Sequence, residues 1–184
     1  MSKIADELKV TYDDILTLGE SNQRIELFDG EVIMSAMPSA KHQLIATELS
    51  FQLKRWSKRT KAGVVFGSPV DVVLSAHIVL QPDLAFITND RLHINDGNKL
   101  NASPDLAVEI LSESTEERDR TFKFREYARG GAKEYWLVSP EKGEVEVYQN
   151  SEKGFQHLRT FSRNEVLNAP LFPEVNINLQ EVLV

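Results

Sequence analysis

Residues 104–111 read Pro-Asp-Leu-Ala-Val-Glu-Ile-Leu, the most apolar strand-like run of the chain. Ser114 and Glu117 follow it at the spacing of a capping box and predict a helix that ends near Gly130. After this helix, residues 134–138 read Glu-Tyr-Trp-Leu-Val, which is apolar on both faces and predicts a central, buried strand. Two buried strands separated by a helix predict a sheet with helices packed on it.

Before this core, the chain predicts a short helix, a hairpin, a long helix and three strand-like runs. The hairpin has the clearest signal, because two alternating runs within residues 25–34 flank Asp29-Gly30, a pair typical of two-residue turns. Thr11, with Asp14, caps the short helix, and Ser39 caps the long one. The strand-like runs cover residues 63–66, 70–74 and 78–87, residues 88–103 predict a surface loop, and residues 145–149 and 155–161 predict a second hairpin.

These elements together predict an α/β or α+β fold, in which helices flank a mixed sheet and an N-terminal hairpin forms an extension. The composition predicts one globular domain over residues 1–184, because 41% of the residues are hydrophobic and 27% are charged. The longest apolar runs have four residues, whereas a membrane-spanning helix needs about 20, so no membrane segment is predicted.

Charge and cysteine content limit the compartment and the partners. The chain has no cysteine and its N-terminus has no apolar signal core, which together predict a cytoplasmic protein. Its net charge of −7 predicts that the chain as a whole repels nucleic acid, so that contact with DNA requires a local basic patch.

One such basic patch lies near the end of the long helix. It contains five cations and no acid, at Lys54, Arg55, Lys58, Arg59 and Lys61. Two interpretations are open: cations are favoured electrostatically at a helix C-terminus, where water solvates them, or these side chains contact phosphates beside the aromatic Trp56.

Glu109 is the residue that conflicts most with its surroundings. It stands between Val108 and Ile110 in a run that otherwise predicts burial. A buried, unpaired carboxylate loses several kcal/mol (roughly) of hydration free energy, so glutamate is rarely buried without a partner. Either this face of the strand is exposed, or an arginine neutralises Glu109, or the residue has a function.

Asp83 is a second acid at the start of an apolar strand. A Pro-Asp pair before a strand is usually only a turn, but here the strand lies in the same predicted sheet as Glu109. Two carboxylates on neighbouring strands can converge on a metal ion. Hard oxygen ligands without cysteine indicate Mg²⁺ or Mn²⁺ rather than zinc.

Lys123 is the third candidate, because it lies on one face of the predicted helix with Asp119 and Tyr127. One interpretation is a surface ion pair between Asp119 and Lys123. The other is that Lys123 reaches over the edge of the strand toward Glu109.

Other catalytic patterns are absent from the sequence. The four histidines show no paired metal-site spacing, and neither a Gly-x-Ser-x-Gly elbow nor a glycine-rich phosphate loop followed by Lys-Ser/Thr occurs. The sequence therefore does not support acyl-transfer or nucleotide-loop chemistry.

Several segments taken together resemble the Uma-type family of "putative restriction endonucleases", within the PD-(D/E)xK nuclease superfamily. The resemblance runs from about residue 11 to the C-terminus, and its motifs lie at residues 26–31, 38–42, 82–85, 104–112 and 134–138, together with Asp119, Lys123 and Tyr127.

This resemblance implies a restriction-endonuclease-like α/β core and assigns roles to residues. Asp83 would be the motif aspartate and Glu109 the second acid. The motif lysine is missing, because Leu111 stands two residues after Glu109, and the lysine of the following helix, Lys123, would replace it. Glu26, Glu31 and His42 match family positions and are supporting candidates.

The implied activity is Mg²⁺-dependent hydrolysis of DNA phosphodiester bonds. Asp83, Glu109 and the backbone carbonyl of Ile110 would hold Mg²⁺ or Mn²⁺, Lys123 would orient water or offset charge, and the basic patch would hold flanking phosphates. Two alternatives stay open: a nuclease fold that binds without cleaving, and a metal-dependent phosphohydrolase of small nucleotides.

The apolar C-terminal tail allows two interpretations. Together with edge strands it predicts a homodimer, which would suit a substrate of two strands, or else it caps the core of its own chain. The residues concerned are Leu171, Phe172, Val175, Ile177 and Leu179.

Overall fold

The computed structural model describes residues 9–17, 19 and 23–184, and none of the helices among them is long and apolar enough to cross a membrane. The helical segments are α1 (Tyr12–Thr17), α2 (Ala40–Thr60), a 3-10 helix (Asn89–Ile94), α3 (116–129) and α4 (Leu179–Val182). The strands are β1 (Arg24–Phe28), β2 (Glu31–Ser35), β3 (Gly63–Gly67), β4 (Val72–Ser75), β5 (Ile78–Leu80), β6 (Leu84–Thr88), β7 (Leu106–Ile110), β8 (Glu134–Ser139), β9 (Glu144–Ser151), β10 (Gly154–Ser162), β11 (Val166–Ala169) and β12 (Phe172–Asn178).

The predicted mixed sheet flanked by helices is confirmed. Its six strands follow the order β10-β9-β8-β7-β6-β3. β7 and β8, which α3 connects, run parallel with Leu106 opposite Glu134, and the remaining pairs are antiparallel. The N-terminal hairpin belongs to a second sheet of order β2-β1-β5-β4, and β11 pairs with β12 in a third.

β7 and β8 are buried along their whole length, because both faces of the six-stranded sheet are covered. On one face, Val108 and Ile110 pack in a cluster with the apolar side of α2. On the other face, Ala107 packs in a cluster with Tyr127 of α3. Since side chains alternate along a strand, Glu109 shares the face of Ala107 and points toward α3.

Local sequence signals at the N-terminal end are confirmed. Asp29 and Gly30 both adopt positive φ angles, 55° and 84°, as the two-residue hairpin turn requires. Ser39 caps α2, because its side chain accepts a hydrogen bond from the backbone N–H three residues later. Thr11 and Asp14 form the predicted capping box, with reciprocal backbone-to-side-chain hydrogen bonds of 2.8 and 3.2 Å.

Two local predictions differ from the structure. The capping box at Ser114 and Glu117 is wrong, because α3 begins at Glu116, whose N–H donates to the carbonyl oxygen of Ser112 at 2.9 Å. The preceding turn therefore takes the place of a side-chain cap. Residues 88–103, predicted to be a surface loop, contain the 3-10 helix and bury Ile94.

The C-terminal tail caps the core of its own chain. The side chains of Phe172, Val175 and Ile177 are buried in the same cluster as the apolar side of α2. The indole N–H of Trp56 in α2 donates to the carbonyl oxygen of Pro173 at 2.8 Å. These tail residues are therefore not available as the surface of the predicted homodimer.

Phe172→Ala is expected to destabilise the protein by about 3 to 5 kcal/mol, the usual loss for a fully buried phenylalanine. The Phe172 ring lies 5.0 Å, centroid to centroid, from the rings of both Trp56 and Phe86. Denaturant unfolding measures the change. Leu158→Ala, at a side chain that is 46% exposed, is the control and should change stability by less than about 0.5 kcal/mol. Equal effects of the two substitutions would contradict a structural role of the tail.

Candidate active site

The two predicted acids lie side by side on neighbouring strands. β6 pairs with β7 so that Leu84 faces Val108, and the N–H of Asp83 donates to the carbonyl oxygen of Val108 at 3.0 Å. Continuing this antiparallel register places Asp83 beside Glu109. Both side chains are buried, although each belongs to a residue type that is rarely buried without a partner.

Asp83 accepts three hydrogen bonds. Arg24 donates from Nη1 to Oδ1 at 2.8 Å, and His42 and the backbone N–H of Ile110 lie 3.1 and 2.7 Å from Oδ2. Burial alone would raise the pKa of Asp83, but the hydrogen bond to His42 and the charge of Arg24 outweigh it and lower the pKa to about 2. Asp83 is therefore ionised at neutral pH.

Glu109 has fewer hydrogen-bonding partners than Asp83. Its Oε1 lies 3.2 Å from Nζ of Lys123 and its Oε2 lies 3.7 Å from Nη2 of Arg24. The ammonium of Lys123 is within ion-pair distance, but no group in the described part of the chain stands in hydrogen-bond geometry to Oε1. Burial is the largest influence and raises the pKa of Glu109 well above its usual value, because Lys123 offsets it only in part.

Lys123 is the centre of the charged residues. Its Nζ lies 3.0 Å from Glu26, 3.2 Å from Glu109 and 3.2 Å from Asp119. Because its side chain is only 4% exposed, the interpretation as a surface ion pair is wrong. Burial alone would lower the pKa of Lys123, but Glu109, Glu26 and Asp119 outweigh it, raise the pKa and keep the ammonium charged.

A π-helical turn presents Lys123 and Asp119 to the site. Within α3, the turn Asp119–Lys123 lies between the α-helical segments Glu116–Arg118 and Phe124–Arg129. Asp119 and Lys123 are its buried members. The hydroxyl of Tyr135 in β8 donates to the carbonyl oxygen of Asp119 at 2.9 Å and anchors the turn to the sheet. Such turns occur frequently at functional sites.

The supporting candidates separate into two groups. Glu26 is buried and accepts a 2.7 Å hydrogen bond from the backbone N–H of Gln81 in addition to its contact with Lys123. His42, at the start of α2, reaches Asp83. Glu31 shares a face with Glu26 but lies at the turn end of the hairpin, where it is exposed and is not brought to the other acids.

The structure also does not bring the basic patch to these acids. α2 begins beside Asp83, where His42 binds, and the patch lies at its other end. Lys54 and Lys61 follow His42 by 12 and 19 residues, which corresponds to about 18 and 28 Å along a helix. The patch is exposed to solvent.

Arg24 is the residue that the sequence analysis missed. It lies on the same face of β1 as Glu26, two residues away, and contacts both Asp83 and Glu109. One signal pointed to it, since neutralisation by an arginine was an open explanation for a buried Glu109. Nothing in the sequence pattern of β1 indicated that Arg24 would be the arginine beside Glu109.

Six charged residues form one cluster that is buried except for the partly exposed Arg24. Its acids are Glu26, Asp83, Glu109 and Asp119, and its cations are Arg24 and Lys123. With all four carboxylates ionised, the two cations leave two negative charges unmatched. In a buried site this deficit favours binding of a proton or a divalent cation.

The donor chemistry of the cluster fits a hard divalent ion. Oε1 of Glu109 and Oδ1 of Asp119 are buried oxygens that accept no hydrogen bond from residues 9–17, 19 or 23–184. Carboxylate oxygen is the donor that Mg²⁺ and Mn²⁺ prefer. Among the residues that the structure describes, however, no group of three or more His, Cys, Asp or Glu is arranged to hold a metal. Arg24 and Lys123 instead stand among the carboxylates.

Known proteins resemble the chain in sequence and in fold. The sequence model of the Uma2 family, described as "Putative restriction endonuclease", matches residues 11–180. Among solved structures, the chain is similar to "a putative nuclease belonging to DUF820" from Anabaena variabilis ATCC 29413, with a TM-score of 0.78 and 20% sequence identity over 95% of this chain and 97% of that one. At this identity the likeness shows the fold. No curated protein matches the chain.

Glu109→Gln is expected to stabilise the metal-free protein at about pH 8. A carboxyl whose pKa is raised on folding contributes stability below its unfolded pKa, near 4.5, and this stability is lost as the pH rises toward the folded pKa. The amide does not ionise, so thermal unfolding in EDTA should show a higher midpoint for the variant at about pH 8 and no gain near pH 4.

The control for this measurement is Glu31→Gln, which removes an exposed carboxylate from the same protein and should leave the pH dependence unchanged. A Glu109→Gln variant that unfolds at a lower temperature than the wild type at about pH 8 would contradict the prediction. It would mean that the attraction to Lys123 exceeds the desolvation of Glu109.

Proposed function

The chain belongs to the Uma2 family, described as "Putative restriction endonuclease", and on this premise we propose that it is a metal-dependent endonuclease that hydrolyses phosphodiester bonds of DNA. One observation carries the proposal. Asp83 and Glu109 lie buried on adjacent strands with the charged Lys123 beside them. A fold gains no stability from an excess of buried carboxylates, so the cluster needs a functional reason.

The proposed metal ligands are Asp83, Glu109 and the backbone carbonyl of Ile110. The N–H of Ile110 donates to Asp83 at 2.7 Å, which fixes the backbone of this residue beside the acids. A bound Mg²⁺ or Mn²⁺ would polarise the phosphate and supply a nucleophilic water at neutral pH. Glu26 and His42 hold Lys123 and Asp83 in place.

Lys123 acts in this proposal as a fixed positive charge. Its three carboxylate neighbours keep it protonated, so it is not a general base. An ammonium in this position stabilises negative charge on phosphoryl oxygens or orients the attacking water. Its place on α3 allows it to do what the missing motif lysine would do from the strand.

DNA is the proposed partner, and the basic patch at the far end of α2 is the proposed phosphate contact. At about 3.4 Å per base pair, a separation of about 18 to 28 Å corresponds to roughly five to eight base pairs. The patch would therefore hold phosphates at a distance from the bond to be cleaved, on a chain whose net charge of −7 is otherwise unfavourable.

A homodimer and a cytoplasmic location are also part of the proposal. The tail no longer supports a homodimer, because it is buried in its own chain, so the proposal of a dimer rests on free edge strands such as β2. The cysteine-free composition supports the cytoplasm.

A second candidate function is a nuclease fold that binds without cleaving. It is favoured by the ion pairs of Arg24 and Lys123, which already neutralise part of the acid cluster without a metal. Absence of divalent-ion binding to the folded protein would support this second candidate.

Cleavage of supercoiled plasmid tests the first proposal directly. We expect nicking with Mg²⁺ or Mn²⁺ that EDTA abolishes. Glu109→Gln should lose about 100-fold or more, because removing a proposed ligand weakens the hold on the ion that would stabilise transition-state charge. Glu31→Gln is the matched control and should cleave like the wild type. If Glu109→Gln retains full activity, the proposed site is wrong.

The basic patch should govern the salt dependence of DNA binding and not the chemical step. Lys54→Gln combined with Lys58→Gln is expected to reduce the slope of log K against log salt by about 2, one for each lysine removed from a phosphate, and to leave kcat unchanged. Fluorescence anisotropy with labelled duplex DNA measures the slope. Lys142→Gln combined with Lys153→Gln changes the net charge equally at positions outside the patch, and an equal effect of this control would contradict the proposal.

A further inference from the structure

The guanidinium of Arg24 lies between the two acids of the proposed metal site. Its Nη1 is 2.8 Å from Oδ1 of Asp83 and its Nη2 is 3.7 Å from Oε2 of Glu109. The carboxylates proposed to share a divalent ion thus already share a cation that belongs to the chain.

The contacts of Arg24 are less complete than those of Arg120, another arginine that pairs with a carboxylate. Its Nε and Nη2 are buried but have no hydrogen-bond partner among the residues that the structure describes. Arg120, in contrast, binds Glu146 with both terminal nitrogens, at 3.1 and 2.6 Å. A guanidinium that served only to fix the fold would gain most from such a two-fold contact. Arg24 therefore acts on the two carboxylates more through its positive charge than through a fixed hydrogen-bond geometry.

Arg24 lies closer to the protein surface than the other cation of the cluster. It is the first residue of β1, and its side chain is 22% exposed. Lys123, the other cation of the cluster, is only 4% exposed and has three carboxylate neighbours, so Arg24 is the less tightly held of the two.

We propose that Arg24 is a displaceable counter-ion that competes with a divalent cation for Asp83 and Glu109. In the metal-free protein it offsets the repulsion between the two carboxylates, and binding of the cation moves the guanidinium off the acid pair. The inference rests on the proposed function, because it takes Asp83 and Glu109 as the metal ligands. Arg24 is in this sense a positioning residue that sets the affinity for metal.

The test is calorimetric titration of the metal-free protein with Mn²⁺. R24Q removes the competing charge at similar length and is expected to bind Mn²⁺ about tenfold more tightly than the wild type, since like charges a few ångströms apart repel strongly in a partly buried site. R91Q is the matched control. Arg91 is also 22% exposed and pairs with a buried acid, Asp105, at 3.2 Å, so its loss should leave the affinity for Mn²⁺ unchanged.

Circular dichroism first establishes that each variant is folded. Should R24Q not fold, R24K replaces it, because a lysine keeps the charge but cannot contact both acids at once, and it too should bind Mn²⁺ more tightly than the wild type. Equal or weaker binding by a folded Arg24 variant overturns the inference. An equal gain in R91Q overturns it as well, because the effect would then follow from net charge alone.

Failure of this inference can be distinguished from failure of the proposed function by E109Q, which removes a proposed ligand. If the wild type and R24Q bind Mn²⁺ with equal affinity and E109Q does not bind it, the proposed metal site is supported and the proposed role of Arg24 is wrong. If R24Q binds tightly and no DNA is cleaved, the role of Arg24 is supported although the nuclease activity is not. If no variant binds Mn²⁺, both are wrong.

Discussion

The desolvation of Glu109 is the constraint on which the arrangement of the molecule depends. A carboxylate in the middle of a fully buried strand requires positive charge from its surroundings, and Lys123 supplies it from α3. The same ammonium contacts Glu26 of β1, so one cation connects the hairpin sheet, the central sheet and the helix. The position of α3 and the docking of the hairpin thus satisfy the same electrostatic requirement.

The sequence predicted the elements and the acids well, because both depend on local signals. Glu109 was conspicuous because its neighbours are apolar, and Asp29-Gly30 determined the hairpin because few residues adopt two positive φ angles in succession. The family resemblance made Glu26 and Glu31 equal candidates, but it did not show that Glu26 is buried and Glu31 exposed. Burial depends on what packs against a face, which is not local.

The remaining misses have the same origin. Arg24 begins a strand, where an arginine is ordinarily solvated, and only the packing of β1 against β6 and β7 gives it two carboxylate partners. The prediction of a capping box at Ser114 was wrong because a backbone turn occupies its place, and no pattern in residues 113–129 indicated the π turn. Which charged residues pair and which are buried depends on how the sheets pack against each other, and local sequence patterns do not show this.

The C-terminal segment has a consequence for the order in which the protein matures in the cell. Residues 166–182 complete the cluster against which α2 packs, and they include Phe172, Ile177 and Leu179, each fully buried. A ribosome adds residues one at a time, so the apolar side of α2 stays without its cover until residues 166–182 have also left the exit tunnel. During this interval the nascent chain exposes the apolar surface that α2 later buries, and such surface is prone to aggregation.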